Sequence, residues 1–131
     1  MSNPPVTVTR EVDERDQHAC WRCGASLHVT SGSRHHRQRR SVGGHRVSVL
    51  ILLCGSGTTG CHGWVHANPD RARARGYIIP TWVHDSEDVP IQDGVTKEWF
   101  LLKDDGSKEP IIFNLAQELL HVFGMLRGVE L

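Results

Sequence analysis

Four cysteines in two close pairs constrain the fold of this chain more than any other feature of its sequence. Two residues separate Cys20 from Cys23, six separate Cys54 from Cys61, and the two pairs lie 30 residues apart. Close pairs far apart in sequence are typical of a tetrahedral four-cysteine zinc site. The wider second spacer, GSGTTG, is rich in glycine and can fold back tightly. We therefore expect a structural zinc ion; two disulfides or four unrelated buried thiols are the alternatives.

The length and composition predict one compact domain. The chain has 131 residues, and 38% of them are hydrophobic. A core of that size is stabilised by an additional cross-link, such as a metal site. No run of eighteen apolar residues occurs, and the N-terminus lacks the apolar core of a signal peptide. These features predict a cytoplasmic protein. In that compartment two disulfides are a less common use of four cysteines than a metal site.

The net charge is zero, but the charges are distributed unevenly. Residues 34–75 contain eight arginines and one acidic residue, whereas the rest of the chain contains seven basic and 14 acidic residues. Five of the nine histidines also lie in this basic segment. Because arginine pairs bidentately with phosphate, the segment favours a polyanion as a partner, and a solvated basic loop is the alternative. The phosphate-binding candidates are Arg37, Arg39 and Arg40, with Arg71, Arg73 and Arg75 as further members of the group.

The pattern of the chain predicts an α+β fold in three parts. Residues 1–17 are polar and charged, which predicts a flexible arm. Residues 18–84 hold both cysteine pairs and the basic segment and form the expected zinc domain. Residues 85–131 predict a β-hairpin and an amphipathic helix capped by Asn114. The apolar face expected for that helix consists of Leu115, Leu119, Val122, Phe123 and Leu126.

Within the expected zinc domain, four elements are predicted. The continuous apolar run Val47–Leu53 predicts a buried strand. A short helix begins near Cys61, and a second covers residues 70–75 after the interruption at Asn68-Pro69. Tyr77–Val83 predicts an edge or bulged strand, since it contains a proline.

Two histidine clusters carry the chemistry expected of the chain. His62 and His66 are four residues apart on the predicted helix, so both can bind the same ion. His35 and His36 are adjacent, and on an extended segment their side chains point in opposite directions. One of the two can therefore face a metal ion while the other faces a substrate. A solvated basic loop and surface histidines are the plainer interpretations.

The chain resembles the HNH endonucleases, in particular their zinc-containing bacteriophage branch. The matching segments are CWRCG, SRHHRQRRSVGG and LILLCGSGTTGCHGWVHANP, within residues 18–84. The resemblance implies a ββα-metal (His-Me finger) core, with His36 as the general base. It also implies that His35 and His62, with His66, ligate a catalytic divalent cation. Arginines of the loop would bind the DNA phosphates.

One position departs from the family pattern. The family has an asparagine five residues before the first cysteine of the second pair, where it orients the loop that carries the base. This chain has Val49 at that position. We expect His45 or Ser48 to take over the task, and the rate of catalysis to be affected more than the fold.

Together these features predict a phage-encoded DNA endonuclease that hydrolyses phosphodiester bonds. Its cofactors would be structural Zn²⁺ and a catalytic Mg²⁺, Mn²⁺, Ni²⁺ or Zn²⁺; histidine ligands suit magnesium least. The alternative is a zinc-ribbon DNA-binding or packaging-accessory module that has lost turnover, with other phage packaging proteins as partners. The four tryptophans are expected in the core rather than at a base-stacking surface: Trp21, Trp64, Trp82 and Trp99.

Overall fold

The computed structural model describes residues 3–128, which form a small α+β fold with short helices and two small antiparallel sheets. The helices are α1 (Val6–Arg15), α2 (Arg40–Gly43), α3 (Gly60–Ala67), α4 (Pro69–Ala74) and α5 (Phe113–Val122). The strands are β1 (Gly32–His36), β2 (Leu50–Cys54), β3 (Ile91–Gln92), β4 (Trp99–Leu102) and β5 (Lys108–Ile111). No helix within residues 3–128 is long and apolar enough to cross a membrane.

The first sheet pairs β1 with β2 and positions the histidine pair. In the antiparallel register His35 lies opposite Ile51 and His36 lies opposite Leu50. Alternation along β1 places the two histidines on opposite faces, so His35 is buried and His36 is half-buried. The strand predicted over Val47–Leu53 begins only at Leu50, because Val47–Val49 form a 3-10 turn before β2.

Helices α3 and α4 confirm the two predicted helices and their interruption. Cys61 and Val65 form the buried face of α3, which packs against β2. Pro69 occupies the first turn of α4, where its missing N–H costs no helical hydrogen bond. The Asn68 amide donates back to the Trp64 carbonyl at 3.0 Å instead of capping α4.

The predicted flexible arm is wrong, because residues 6–15 form helix α1. Val12 is completely buried and packs with Val47 and Leu50. The Arg15 guanidinium pairs with the neighbouring Asp16 carboxylate and donates to the Val47 and Leu50 carbonyls. The polar composition concealed one fully buried apolar residue, Val12, and one buried ion pair that anchor the helix.

The second sheet, in the order β3-β4-β5, contains the predicted hairpin and completes the core. Ile91 and Leu102 belong to the same buried cluster as Trp21, so the C-terminal segment shares a core with the cysteine region. The predicted strand over Tyr77–Val83 is wrong, since no strand covers that segment.

The C-terminal helix differs from its prediction in its cap and its buried face. Helix α5 begins at Phe113 with Ile112 in the cap position, so Asn114 lies inside the helix. Its buried residues are Ala116 and Leu120, whereas Leu115 and Val122 of the predicted face are exposed. Because Ala116 is small, helix α5 can approach the core closely at this residue. The apolar pattern of the sequence did not reveal this contact.

Candidate metal centres

The four cysteines converge into one cluster, as predicted. The Sγ atoms of Cys20, Cys23, Cys54 and Cys61 all lie within 4.8 Å of one another. All four are free thiols, and the Cys23 and Cys54 sulfurs are 3.8 Å apart. A disulfide requires about 2.05 Å, whereas sulfurs about 2.3 Å from a tetrahedral zinc ion lie about 3.8 Å apart. The cluster therefore fits a structural metal ion such as zinc.

Local backbone geometry brings the two cysteine pairs together. The Gly24 amide donates to the Cys20 carbonyl, which closes the first knuckle. Gly55 and Gly60 have positive φ angles of 81° and 61° and close the second loop. The Trp21 amide donates to the Leu52 carbonyl at 3.0 Å and joins the first knuckle to β2. The glycine-rich spacer is needed because a Cβ at Gly55 would lie 2.2 Å from the Thr59 carbonyl oxygen.

The chemistry of the thiols depends on a cation. Burial raises the pKa of Cys61 to about 12, and burial also raises the pKa of Cys23. By themselves these groups are therefore neutral thiols near pH 7. Bound zinc deprotonates its cysteine ligands, so the cluster becomes fully anionic only with the ion in place.

Three histidines form a second cluster beside the first. One ring nitrogen each of His35, His62 and His66 lies within 4.8 Å of the other two. His35 is buried, His62 is half-buried and His66 is exposed, so the cluster is open on one side. Cys61 and His62 are adjacent in α3, and therefore the two clusters are held by the same helix.

The hydrogen bonds of His35 and His62 fix which nitrogens face each other. The Tyr77 carbonyl lies 2.8 Å from Nε2 of His35 and can only accept, so this nitrogen carries the proton. Ser33 donates its hydroxyl to the Gly55 carbonyl and thus accepts from Nδ1 of His62 at 2.6 Å. The opposite nitrogens, Nδ1 of His35 and Nε2 of His62, are 3.2 Å apart. In the neutral rings both carry lone pairs, which repel unless a cation lies between them.

His36 lies outside the three-histidine cluster and contacts a different partner. Its Nε2 is 3.0 Å from Nδ1 of His45. Burial, together with the charge of Arg40, lowers the pKa of His36 to about 4, so its ring is neutral near pH 7. Burial lowers the pKa of His35 to about 3. A neutral His35 has the protonation state that metal ligation requires.

The structure contradicts the prediction that Arg37 binds DNA phosphate. Arg37 is 1% exposed, and its guanidinium donates to the carbonyls of Gly76, Ser48 and Val89 at 2.8 to 2.9 Å. The side chain therefore ties the segment after β1 to three other parts of the fold. A charged residue next to two histidines suggested a substrate contact, because sequence alone does not show the carbonyls that enclose it.

The position of the expected asparagine is also resolved. Val49 is completely buried, and its carbonyl accepts from the Arg37 amide at 2.8 Å. Of the two expected substitutes, His45 contacts His36, whereas the Ser48 hydroxyl binds Asp104 and Ser86. The backbone next to His36 is thus held by the Arg37 amide, and the His36 ring is held by its contact with His45.

A cleft of about 440 Å³ opens in front of the histidines. His35, His36 and His66 line it together with Arg39, Arg73 and Trp82. Arg39 and Arg40 are exposed, as phosphate-binding residues must be. The Arg73 guanidinium pairs with Asp70 at 2.8 Å and donates to the Arg127 carbonyl. The exposed Arg39, the neutral His36 and two histidines of the cluster therefore line one cavity.

Sequence reasoning missed two residues of this region. Ser33 was given no role from the sequence, but it lies in β1 and orients His62. The tryptophan of the cleft was expected in the core, yet Trp82 is 62% exposed. Its neighbour Pro80 was the available signal, since a proline favours an irregular surface segment.

The fold and the two clusters define a small α+β protein with a four-cysteine site for a structural metal ion such as zinc. Within residues 3–128 the three-histidine group is the second cluster that could hold an ion. Comparisons with protein-family models, curated proteins and solved structures found no match for this chain.

Proposed function

We propose that this chain is a metal-dependent DNA endonuclease of the HNH type, with His36 as the general base. The observation that carries the proposal is the pair of facing nitrogens of His35 and His62, 3.2 Å apart, where His35 lines the same cleft as His36. The chain order β1, β2, α3, with histidines at the end of β1 and on α3, supports the resemblance.

The three histidines fit a divalent cation by their chemistry. Nitrogens about 2.05 Å from a tetrahedral ion lie about 3.3 Å apart, close to the observed separation. Each of His35 and His62 donates its outer N–H to an oxygen acceptor, the usual outer-shell arrangement of ligating histidines. When bound, the ion would neutralise charge on the scissile phosphate and assist departure of the leaving oxygen.

His36 is suited to accept a proton from water. In the tautomer that serves as base, its Nε2–H donates to Nδ1 of His45, and its Nδ1 is left as the acceptor. The contact with His45 also fixes the orientation of the ring. A positioned base typically contributes about a hundred- to ten-thousandfold to the rate.

The arginines of the cleft bind and orient the DNA backbone. Arg39 is exposed at the cleft wall, and Arg40 lies next to it at the start of α2. Their guanidinium groups match the geometry of phosphate oxygens. Phosphate contacts of this kind position the strand without reading its sequence.

The alternative function is a DNA-binding or packaging-accessory module on the same scaffold. The observation that favours it is the buried Val49, whose side chain cannot orient the base through hydrogen bonds. Such a module would retain the zinc cluster and the exposed arginines but would need no base.

Plasmid nicking with a panel of divalent ions tests the proposal. Wild type should nick supercoiled plasmid with at least one of Mg²⁺, Mn²⁺, Ni²⁺ or Zn²⁺, and His36→Ala should be slower by about a hundredfold or more. His121→Ala, an exposed histidine on α5, is the matched control and should nick at the wild-type rate. Nicking that is absent with every ion, or equal in His36→Ala, would favour the binding module.

A further inference from the structure

Trp82 is an exposed aromatic residue in an unusual place. Its side chain is 62% exposed, whereas Trp21 and Trp99 are each 6% exposed in the two core clusters. Burying a large indole stabilises a small domain, so leaving one in solvent forgoes that gain. Because Trp82 lies at the wall of the histidine cleft, its exposed ring is available to a ligand bound there.

The indole is held in place rather than free to rotate. Its Nε1–H donates to the Phe123 carbonyl at 2.9 Å, just after α5. Gly124 has a φ of 73°, and a Cβ at that position would lie 3.7 Å from the ring. The backbone after α5 therefore approaches the indole closely and fixes its edge. A ring fixed in this way loses little conformational entropy when a flat ligand stacks on it.

The chemistry around the ring matches a nucleotide. Arg39 supplies positive charge in the same cleft, where it can meet a phosphate, whereas the charge of Arg73 is paired with Asp70. The indole supplies a flat apolar face of the kind on which nucleobases stack. His36 lines the same cavity of about 440 Å³ as His35 and His66 of the three-histidine cluster. A strand bound across the cleft thus meets the Arg39 guanidinium, an aromatic face and the proposed base together.

We propose that Trp82 stacks on an unpaired base of the bound DNA strand, so that the cleft prefers single-stranded to duplex DNA. In a duplex both faces of an internal base are covered by its neighbours, and stacking on a protein ring requires that the base be released. The inference rests on the proposed nuclease function, since it assigns the substrate class of that cleft. Stacking on an aromatic side chain tolerates any base, so no sequence preference is expected from Trp82.

Binding of a labelled 12-nucleotide single strand and of the matching duplex tests the proposal, by fluorescence anisotropy without added divalent ions. Trp82→Leu should raise the Kd for the single strand about tenfold or more, and leave the duplex Kd within about twofold. Trp82→Phe retains a ring and should bind nearly as well as wild type. Phe113→Leu, an exposed aromatic outside the cleft lining, is the matched control. Zinc content shows that each variant is folded.

Intrinsic fluorescence provides a second readout that does not depend on the stability of Trp82→Leu. The single strand should quench the tryptophan emission of wild type, and the quenching should disappear in Trp82→Phe. Equal losses on both DNAs, an unchanged single-strand Kd, or quenching that persists in Trp82→Phe would overturn the stacking role. Failure of the nuclease function is different: the single strand would still bind through Trp82, but no plasmid would be nicked.

Discussion

The cysteine cluster and the histidine cluster share helix α3 but are built in opposite ways. Two of the cysteines are buried in the main core, and four thiols provide a complete tetrahedral set. The histidine cluster offers three nitrogens and opens into a cleft through the exposed His66. Structural zinc sites are closed by four protein ligands, whereas catalytic sites keep one position open. Under the proposed function, the first cluster provides stability and the second provides the chemistry.

The contacts that hold the two clusters in place also differ. The cysteines are held by backbone turns and by the amide of Trp21, which are parts of the folded core. His35 and His62 are oriented instead by single hydrogen bonds to the Tyr77 carbonyl and the Ser33 hydroxyl. Loss of one contact therefore has a large effect on the fold in the first cluster and a graded effect on ion affinity in the second.

The largest effect is expected for Cys61→Ser. Zinc binding contributes about 10–16 kcal/mol in small zinc domains, which is comparable to the roughly 5–15 kcal/mol stability of a typical domain. The variant should lose its zinc and its cooperative thermal transition, as measured by elemental analysis and circular dichroism. Thr58→Ser, exposed in the same loop, should retain both. A Cys61→Ser variant that melts like wild type would mean that the cluster is not a structural staple.

The second-largest effect is expected for His62→Ala, which should alter the histidine cluster and leave the cysteine cluster intact. His62→Ala should weaken binding of the second ion by more than about a hundredfold, since loss of an outer-shell partner alone costs up to that much. The structural zinc and the melting temperature should stay near wild type. Calorimetric ion titration of the zinc-loaded protein measures the first quantity. Loss of both ions together would show that the clusters are one cooperative unit.

A smaller effect is expected for Ser33→Ala, which removes the acceptor of the His62 Nδ1 proton. Affinity for the second ion should fall by about ten- to a hundredfold, the usual range for an outer-shell partner. Ser41→Ala, an exposed serine of α2, is the matched control. If Ser33→Ala binds the ion like wild type, the tautomer assignment of His62 is wrong.

The smallest effect distinguishes an exposed arginine from a buried one. Arg39→Gln should reduce the salt dependence of DNA binding by about one phosphate contact, with the fold unchanged. Arg37→Gln should instead lower the melting temperature, because three carbonyls lose their donor. Binding measured between low and moderate salt, together with thermal melts, separates the two. A lower salt slope in a well-folded Arg37→Gln protein would contradict the structural role of Arg37.

Sequence spacing predicted the parts of the site that depend on local geometry. The cysteine pairs, helix α3 with His62 and His66, and the proline at the start of α4 all follow from short-range rules. Their geometry is set by a few neighbouring residues, so the sequence contains the information directly. The extended segment considered for His35 and His36 is strand β1, which forms by pairing with β2.

What the sequence did not predict depends on contacts between distant segments. Arg37 is buried because carbonyls from residues 48, 76 and 89 converge on it. Helix α1 forms because Val12 and Arg15 reach β2 and the turn before it. Trp82 is exposed because its segment forms no strand and lies at the cleft. Each of these outcomes is decided by tertiary packing, which residue type and periodicity do not encode.

The dependence of the nicking rate on ion concentration, compared between His36→Ala and His35→Ala, tests the central claim most directly. His36→Ala should reach half-saturation at the wild-type ion concentration but at a rate about a hundred- to ten-thousandfold lower. His35→Ala should need far more ion and recover much of its rate at high concentration. The opposite assignment, or equal curves for both variants and wild type, would contradict the division between a base and a metal site.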